Sequence, residues 1–389
     1  MSYINNNSFI AVSNLGFTWQ ETLNSLEAGK TNFNYPKEEF GFNDWPIGPP
    51  VGLIQHWGNH QTPLYFDRTI TLLRILCERI KQTIFNEIPR ENYDRISFVI
   101  ATSHGDPGPV SAAIDMSFIA ETAKLQRRIY NDDFSDVVYE TFGFNFETSV
   151  ISAACASAIV AVNFGNNKIQ NDYCDQVIII ALDTLSIVAY TGFNKVGAMS
   201  PDGTKPFDIN RNGMTASEGG VAFLLERDKP NKYSENIKVV NVGLYCDNSN
   251  MVEPSTQGII NSLNNCLKGT EIKSKEISFV YWHGTGTALN DKSEGEAAKI
   301  FFDGKVPCGA STKGSLGHTM GASSGFNILA ACHTILTGKL LPTARLNNLA
   351  FDFMNLSNQL RTIPTEIGLC VALGFGGINT SLVIKKEYE

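Results

Sequence analysis

Residues 147–169 read ETSVISAACASAIVAVNFGNNKI, and the stretch changes character at its middle. A β-branched run passes through small residues into an apolar pattern with helical spacing, so it predicts a strand, a tight turn and a helix. Cys155 sits at that junction beside Ala154, Ala156 and Ser157. Such a turn lifts one side chain above the end of a sheet. It also sets that side chain at a helix N-terminus, where the dipole and free amides favour a thiolate. Taken alone, the stretch also fits a cysteine that is simply a small buried hydrophobe.

Working outward, short apolar strands alternate with helices. Strands are expected at 97–101, 177–181, 221–225, 238–242, 278–282, 369–373 and 380–384, most of them apolar on both faces. Helices are expected at 66–85, 155–169, 258–267, 293–302 and 322–337. That alternation predicts a layered α/β fold. A charged, Pro-containing break at 226–235 (ERDKPNKYSE) divides the chain into residues 1–230 and 231–389. Each part runs from an early strand through helices to a closing strand, VAFLLE or TSLVIKK, which predicts two similarly built halves. Residues 37–60, rich in Pro, Gly and aromatics, read as an irregular loop.

The 389 residues are 43% hydrophobic and 18% charged, a composition typical of a folded globular chain. A net charge of −8 argues against a nucleic-acid partner. Arg74, Arg79 and Lys81 form a local basic group that reads as a solvated helix face. No apolar run is long enough to span a membrane, and the N-terminus lacks the pattern of a signal peptide. Eight cysteines without CxxC pairs indicate reduced thiols and a cytoplasmic setting.

Of six histidines, two stand in glycine-rich settings after predicted strands. VYWHGTGTALND carries His283, and ASTKGSLGHTMGASSG carries Lys313 and His318. In α/β proteins, strand ends of this kind gather the site. Metal spacing is missing: there is no HExxH and no Cys–His cluster. His56, His60 and His333 read as structural, while His104, in ATSHGDPG, follows a strand and can approach the site. From residue types alone, a Cys–His hydrolase is one reading.

Five motifs resolve the choice by resemblance: AACASA, GAMSPDGTKPFDINRNGMTASEGG, HGTGT, STKGSLGH and GFGGIN, in that order. Together they resemble the β-ketoacyl synthases of the thiolase superfamily, over nearly the whole chain and most strongly from residue 150 to 384. The resemblance implies a thiolase fold, two βαβαβ-type halves forming a five-layered α-β-α-β-α core. It implies decarboxylative Claisen condensation of an enzyme-bound acyl chain with malonyl-acyl carrier protein. Cys155 matches the acylated nucleophile, and His283 and His318 match the pair that holds the extender thioester and promotes loss of CO₂. Lys313 matches a lysine that supports the second histidine's loop. Phe375 matches a gating aromatic whose amide completes an oxyanion hole with that of Cys155, with Gly374, Gly376 and Gly377 freeing its loop. Thr285 and Thr287 match threonines that bind the pantetheine amides, and Gly374 and Gly376 are expected to join them in the pantetheine site. Asp208 and Glu218 match a structural stretch, and Glu294 and Glu296 are expected to serve the dipole of their helix.

The resemblance further implies no bound cofactor, a phosphopantetheine arm supplied by an acyl carrier protein, and pairing either with itself or with a ketosynthase-like paralogue. Two positions depart from the pattern. Asn327 stands where many fatty-acid enzymes have a glutamate, which leaves Lys313 without that carboxylate neighbour. Ile378 replaces a common threonine. These changes tilt the expectation toward a specialised polyketide or polyene pathway over general fatty-acid synthesis. A retasked acyltransferase and a chain-length-factor-like partner subunit are the alternatives.

Overall fold

The computed structural model describes residues 2–35, 49–61, 67–86, 88–107, 132–227, 236–248 and 253–388. Most of the expected break at 226–235, the boundary at 230/231 and part of the 37–60 loop lie outside the described residues. So does the first residue of the expected 66–85 helix.

Among the described residues, twelve strands form one mixed sheet. In its first part, β3 (Ile96–Ala101) runs parallel to β4 (Glu147–Ile151) and β5 (Gln176–Asp183), and β5 pairs antiparallel with β6 (Gly219–Glu226). The second part repeats the pattern: β8 (Phe279–Tyr281) lies parallel to β9 (Cys308–Ala310) and β13 (Ile367–Gly374), and β13 pairs antiparallel with β14 (Ile378–Glu387). Two similarly built halves are therefore visible in the pairing itself. Between them β1 (Ser2–Ile4) pairs antiparallel with both β6 and β7 (Asn236–Cys246), joining the two parts edge to edge.

The layering follows from side-chain alternation along the strands. Val177, Ile179 and Ala181 of β5 share one core cluster with Cys370 and Ala372 of β13 and with two helices. Those helices are Ser157–Gln170 and Ser323–Thr337, here α1 and α2, and they lie between the two parts of the sheet. The intervening residues Ile178, Ile180 and Leu182 face outward against the helices Arg68–Thr83 and Asp132–Phe142. On the other side Leu369, Val371 and Leu373 face Thr256–Leu267 and Ala288–Phe301. The result is α-β-α-β-α. Nearly all of α2 is buried on every side, as its central position requires.

The sheet positions the site. Residues that follow the C-terminal ends of β3, β4, β5, β8, β9 and β13 gather at one edge, where α/β folds place their chemistry. Beneath them Glu218 forms a buried ion pair with Arg68 and accepts the backbone N–H groups of Ile54 and Leu185, both at 3.1 Å. Asp208 accepts Asn347 and Asn348 N–H at 2.7 and 2.8 Å. Both carboxylates tie loops together. His60 pairs with Glu78 and His333 with Glu27, away from that edge. Arg74 pairs with Glu140, Arg79 covers the Phe17 ring and Lys81 binds Thr141 O, so the basic group is a partnered surface. Among the described residues no helix is long and apolar enough to cross a membrane.

Candidate active site

The turn around Cys155 is built from small residues because its backbone is crowded. Ala154 has φ +49°, a left-handed conformation that costs a non-glycine residue roughly 1–2 kcal/mol. The Ser157 hydroxyl holds it, accepting from Ala153 N–H (2.9 Å) and reaching the carbonyls of Ala154 (2.6 Å) and Thr102 (3.0 Å). Cys155 is thereby fixed just before α1 and lines a cavity of about 240 Å³. The expected thiolate is not the resting form. Burial pushes the thiol up to about 12, opposed by the Lys313 charge and reinforced by Asp183. Desolvation outweighs the helix end.

His283 and His318 line the same cavity, their rings 5.4 Å apart and nearly perpendicular. Each is locked by its backbone. His318 N–H donates to Thr215 O (2.7 Å) and its carbonyl accepts from Ser217 N–H (3.0 Å). His283 N–H and Gly284 N–H donate to the two carboxylate oxygens of Glu294, at 2.5 and 2.8 Å. Burial, with the Lys313 charge behind it, drives both imidazoles well below their usual range, so both are neutral at neutral pH. Their tautomers follow from the hydrogen bonds. Met320 N–H donates to His318 Nδ1 at 3.1 Å, and the Lys313 ammonium lies 3.3 Å from His283 Nδ1. In each ring Nε2 then carries the hydrogen.

Lys313 is fully buried, its carbonyl accepts from Gly317 N–H (2.9 Å) in the turn just before His318, and its charge acts on both imidazoles. Its Nζ donates to His283 O at 2.5 Å, so it also holds the first histidine. It does not lack a carboxylate. Glu294, expected only to serve its helix dipole, is buried, and its charge acts on Lys313. Burial pushes Glu294 up to about 8 and Lys313 down to about 8. Asn327 does other work: it accepts from Thr312 Oγ1 (2.8 Å) and donates to Trp282 O (3.1 Å), tying together the residues before Lys313 and His283. An eleven-residue spacing from a strand-end histidine to a helix glutamate was the available signal for Glu294, and only a folded turn gives it meaning.

Thr285, Thr287, Gly374 and Phe375 also line the cavity, with Phe375 43% exposed and its ring 5.5 Å from that of Phe193. Thr285 and Thr287 share a hydroxyl–hydroxyl bond of 2.9 Å. Gly377 lines the cavity and Gly376 does not, although both have positive φ. His104 is also outside the lining; its Nε2 lies 3.7 Å from Asp183.

Two family models match this sequence, "Beta-ketoacyl synthase, N-terminal domain" over 92–231 and "Beta-ketoacyl synthase, C-terminal domain" over 237–347, together well over half the chain. The chain belongs to the β-ketoacyl synthase family. Among curated members it is 27% identical over 263 residues to a 3-oxoacyl-[acyl-carrier-protein] synthase 1 of Buchnera aphidicola, covering 64% of this chain and 63% of that one. It is 28% identical over 249 residues to a 3-oxoacyl-[acyl-carrier-protein] synthase 2 of Synechocystis, covering 60% of each. The matches thus span about three-fifths of the length of these relatives. Among solved structures, a β-ketoacyl synthase from Burkholderia phymatum superposes over both whole chains with a TM-score of 0.85 at 20% identity. The ishigamide ketosynthase/chain length factor gives 0.84 at 23% identity, covering 100% of this chain and 99% of that one. These likenesses establish the thiolase-type fold.

In this β-ketoacyl synthase family member the neutral imidazoles carry a stability signature. Their folded pKa values lie below the unfolded value near 6.5, so between those limits the unfolded chain binds more protons. Stability therefore rises with pH up to about 6.5 and is lost as pH falls below it. Each group contributes a slope of about 1.4 kcal/mol per pH unit in that window. Melting curves from pH 7 to pH 5 should fall less steeply in His318→Gln than in wild type; equal slopes would contradict a buried neutral His318.

Proposed function

We propose that this chain is a β-ketoacyl-acyl carrier protein synthase performing decarboxylative Claisen condensation. The observation that carries the reading is the convergence of Cys155 with two neutral, tautomer-locked histidines on one cavity. Cys155 Sγ attacks an acyl thioester, and the carrier's pantetheine thiol leaves with the proton. A malonyl thioester then enters, its carbonyl oxygen accepting from the Nε2–H groups of His283 and His318. Its carboxylate leaves as CO₂, and the electron pair becomes an enolate held by those donors. The enolate carbon attacks the acyl carbonyl, the tetrahedral oxygen is held by the Cys155 and Phe375 amides, and collapse expels Cys155, which regains a proton.

In this reading Thr285 and Thr287 bind the pantetheine amides, while the turn from Gly374 to Gly377 lets Phe375 move as a gate. The chain needs no bound cofactor, because the arm arrives on an acyl carrier protein. It works as a dimer with itself or with a ketosynthase-like paralogue. Asn327 and Ile378 favour a specialised polyketide or polyene pathway.

The test is intact-mass analysis with a panel of acyl- and malonyl-carrier proteins, with CO₂ release followed in parallel. Wild type should gain an acyl mass and release CO₂ when the malonyl carrier is added. His283→Ala should still gain the acyl mass while CO₂ release is lost. An adduct without CO₂ in wild type would mark a retasked acyltransferase. No adduct with any carrier would sink the reading.

A further inference from the structure

Asp183, the last residue of β5, is fully buried and takes no part in the steps above. Its carboxylate nonetheless gathers donors from two separate loops. One oxygen accepts from Thr102 Oγ1 at 2.6 Å; the other accepts from Ser103 N–H at 2.9 Å and from Gly321 N–H at 2.5 Å. Thr102 and Ser103 belong to the loop that braces the nucleophile. The Ser157 hydroxyl reaches Thr102 O, and the Ser152 hydroxyl donates to Ser103 O. Gly321 belongs to the turn after His318, next to Met320, whose N–H sets the His318 tautomer.

The contact is tight enough to demand glycine. A Cβ on Gly321 would lie 2.6 Å from Ser103 N and 2.7 Å from the Asp183 oxygen. On either side of the clamp stands a non-glycine residue in the left-handed region, Ala154 (φ +49°) and Met320 (φ +48°). Such residues persist only where their surroundings hold them.

We propose that Asp183 is a positioning residue: its carboxylate holds the turn of His318 against the loop of Cys155 and so fixes their relative placement. This rests on the reading that the two side chains serve one reaction. Hydrogen bonding does the work, because an amide oxygen can accept the same two N–H groups while its NH₂ donates to Thr102 Oγ1.

The test compares Asp183→Ala, Asp183→Asn and Gly321→Ala in the full chain. Decarboxylation of a malonyl carrier, acylation by intact mass, and the ¹⁵N shifts of the His318 ring are followed; the ring is assigned by its loss in His318→Ala. Asp183→Ala should lower decarboxylation on the order of 100-fold, as ångström-scale misplacement does. It should also change the His318 shifts away from the pure Nε2–H pattern. Asp183→Asn should rescue both. Should Asp183→Ala fail to fold, Gly321→Ala, which forces the turn away with the carboxylate intact, is expected to reproduce the loss. Wild-type decarboxylation and unchanged His318 shifts in the folded variant would overturn the inference. A wild type that neither acylates nor decarboxylates would sink the functional reading alone, since the ring shifts still decide the role of Asp183.

Discussion

Cys155→Ala should abolish the acyl adduct and lower condensation on the order of 10⁴- to 10⁶-fold, the usual cost of losing a covalent nucleophile. The size of the effect comes from how little the rest of the chain can substitute. Seven other cysteines are free, and only Cys246 is exposed; it does not line the cavity. The thiol of Cys155 is itself a weak nucleophile at rest. Burial pushes its pKa up to about 12, which disfavours the thiolate at neutral pH. Acylation must therefore be coupled to proton removal inside the cavity, where a bound thioester aligns the thiol with the groups around it. Two further outcomes follow. Iodoacetamide should label Cys155 more slowly than an ordinary surface thiol, and Cys155→Ala should still decarboxylate a malonyl carrier, because the histidines are untouched. Folding should survive, since the substitution removes one buried sulfur. Peptide mapping decides the matter: an adduct that persists on another cysteine would place the nucleophile elsewhere.

Much of this site was legible in the sequence because its chemistry is local. The turn around Cys155 needs small residues on both sides, and the strand ends before His283 and His318 announce themselves by glycine. The alternation of apolar residues likewise pointed to all seven expected strands and the five expected helices, with ends displaced by up to five residues. Three things were not legible, and each depends on contacts between distant segments. Glu294 looks like any acidic residue in an exposed helix turn until the chain folds its carboxylate under His283. Lys313 lies five residues before His318 yet reaches the other histidine, thirty residues away. Asp183 ends an apolar strand, and nothing beside it in sequence shows that Ser103 and Gly321 will converge there. The strands at 2–4 and 10–13 were missed for a related reason: they are short, and their partners lie more than 200 residues away.

Lys313→Met should be the next most damaging change, and its pH dependence separates two explanations. The lysine holds His283 through its carbonyl and Nδ1. Without it, that ring loses both its anchor and the donor that fixes its tautomer, and decarboxylation should fall on the order of 100-fold. Stability should also fall, below pH 8 through the lost Lys313 hydrogen bonds and above it because an ionised Glu294 is then left buried without the Lys313 charge. In wild type the Glu294 pKa is raised to about 8, so between about 4.5 and 8 the folded state holds a proton that the unfolded state has released. Stability contributed there declines as pH rises. Above 8 the lysine compensates: its folded pKa is lowered to about 8, so the unfolded chain binds the extra proton and stability climbs. Lys313→Met loses that recovery while its glutamate stays protonated to higher pH. Its stability deficit should therefore be steady below pH 8 and widen above it. Adding Glu294→Gln should remove only the glutamate's share of the widening, not the share lost with the lysine, and should not restore decarboxylation, since the double variant still lacks the lysine's grip on His283. Chemical melts at pH 6, 8 and 9.5, set beside CO₂ release, test both halves. Decarboxylation within about threefold of wild type would show that His283 is held without Lys313.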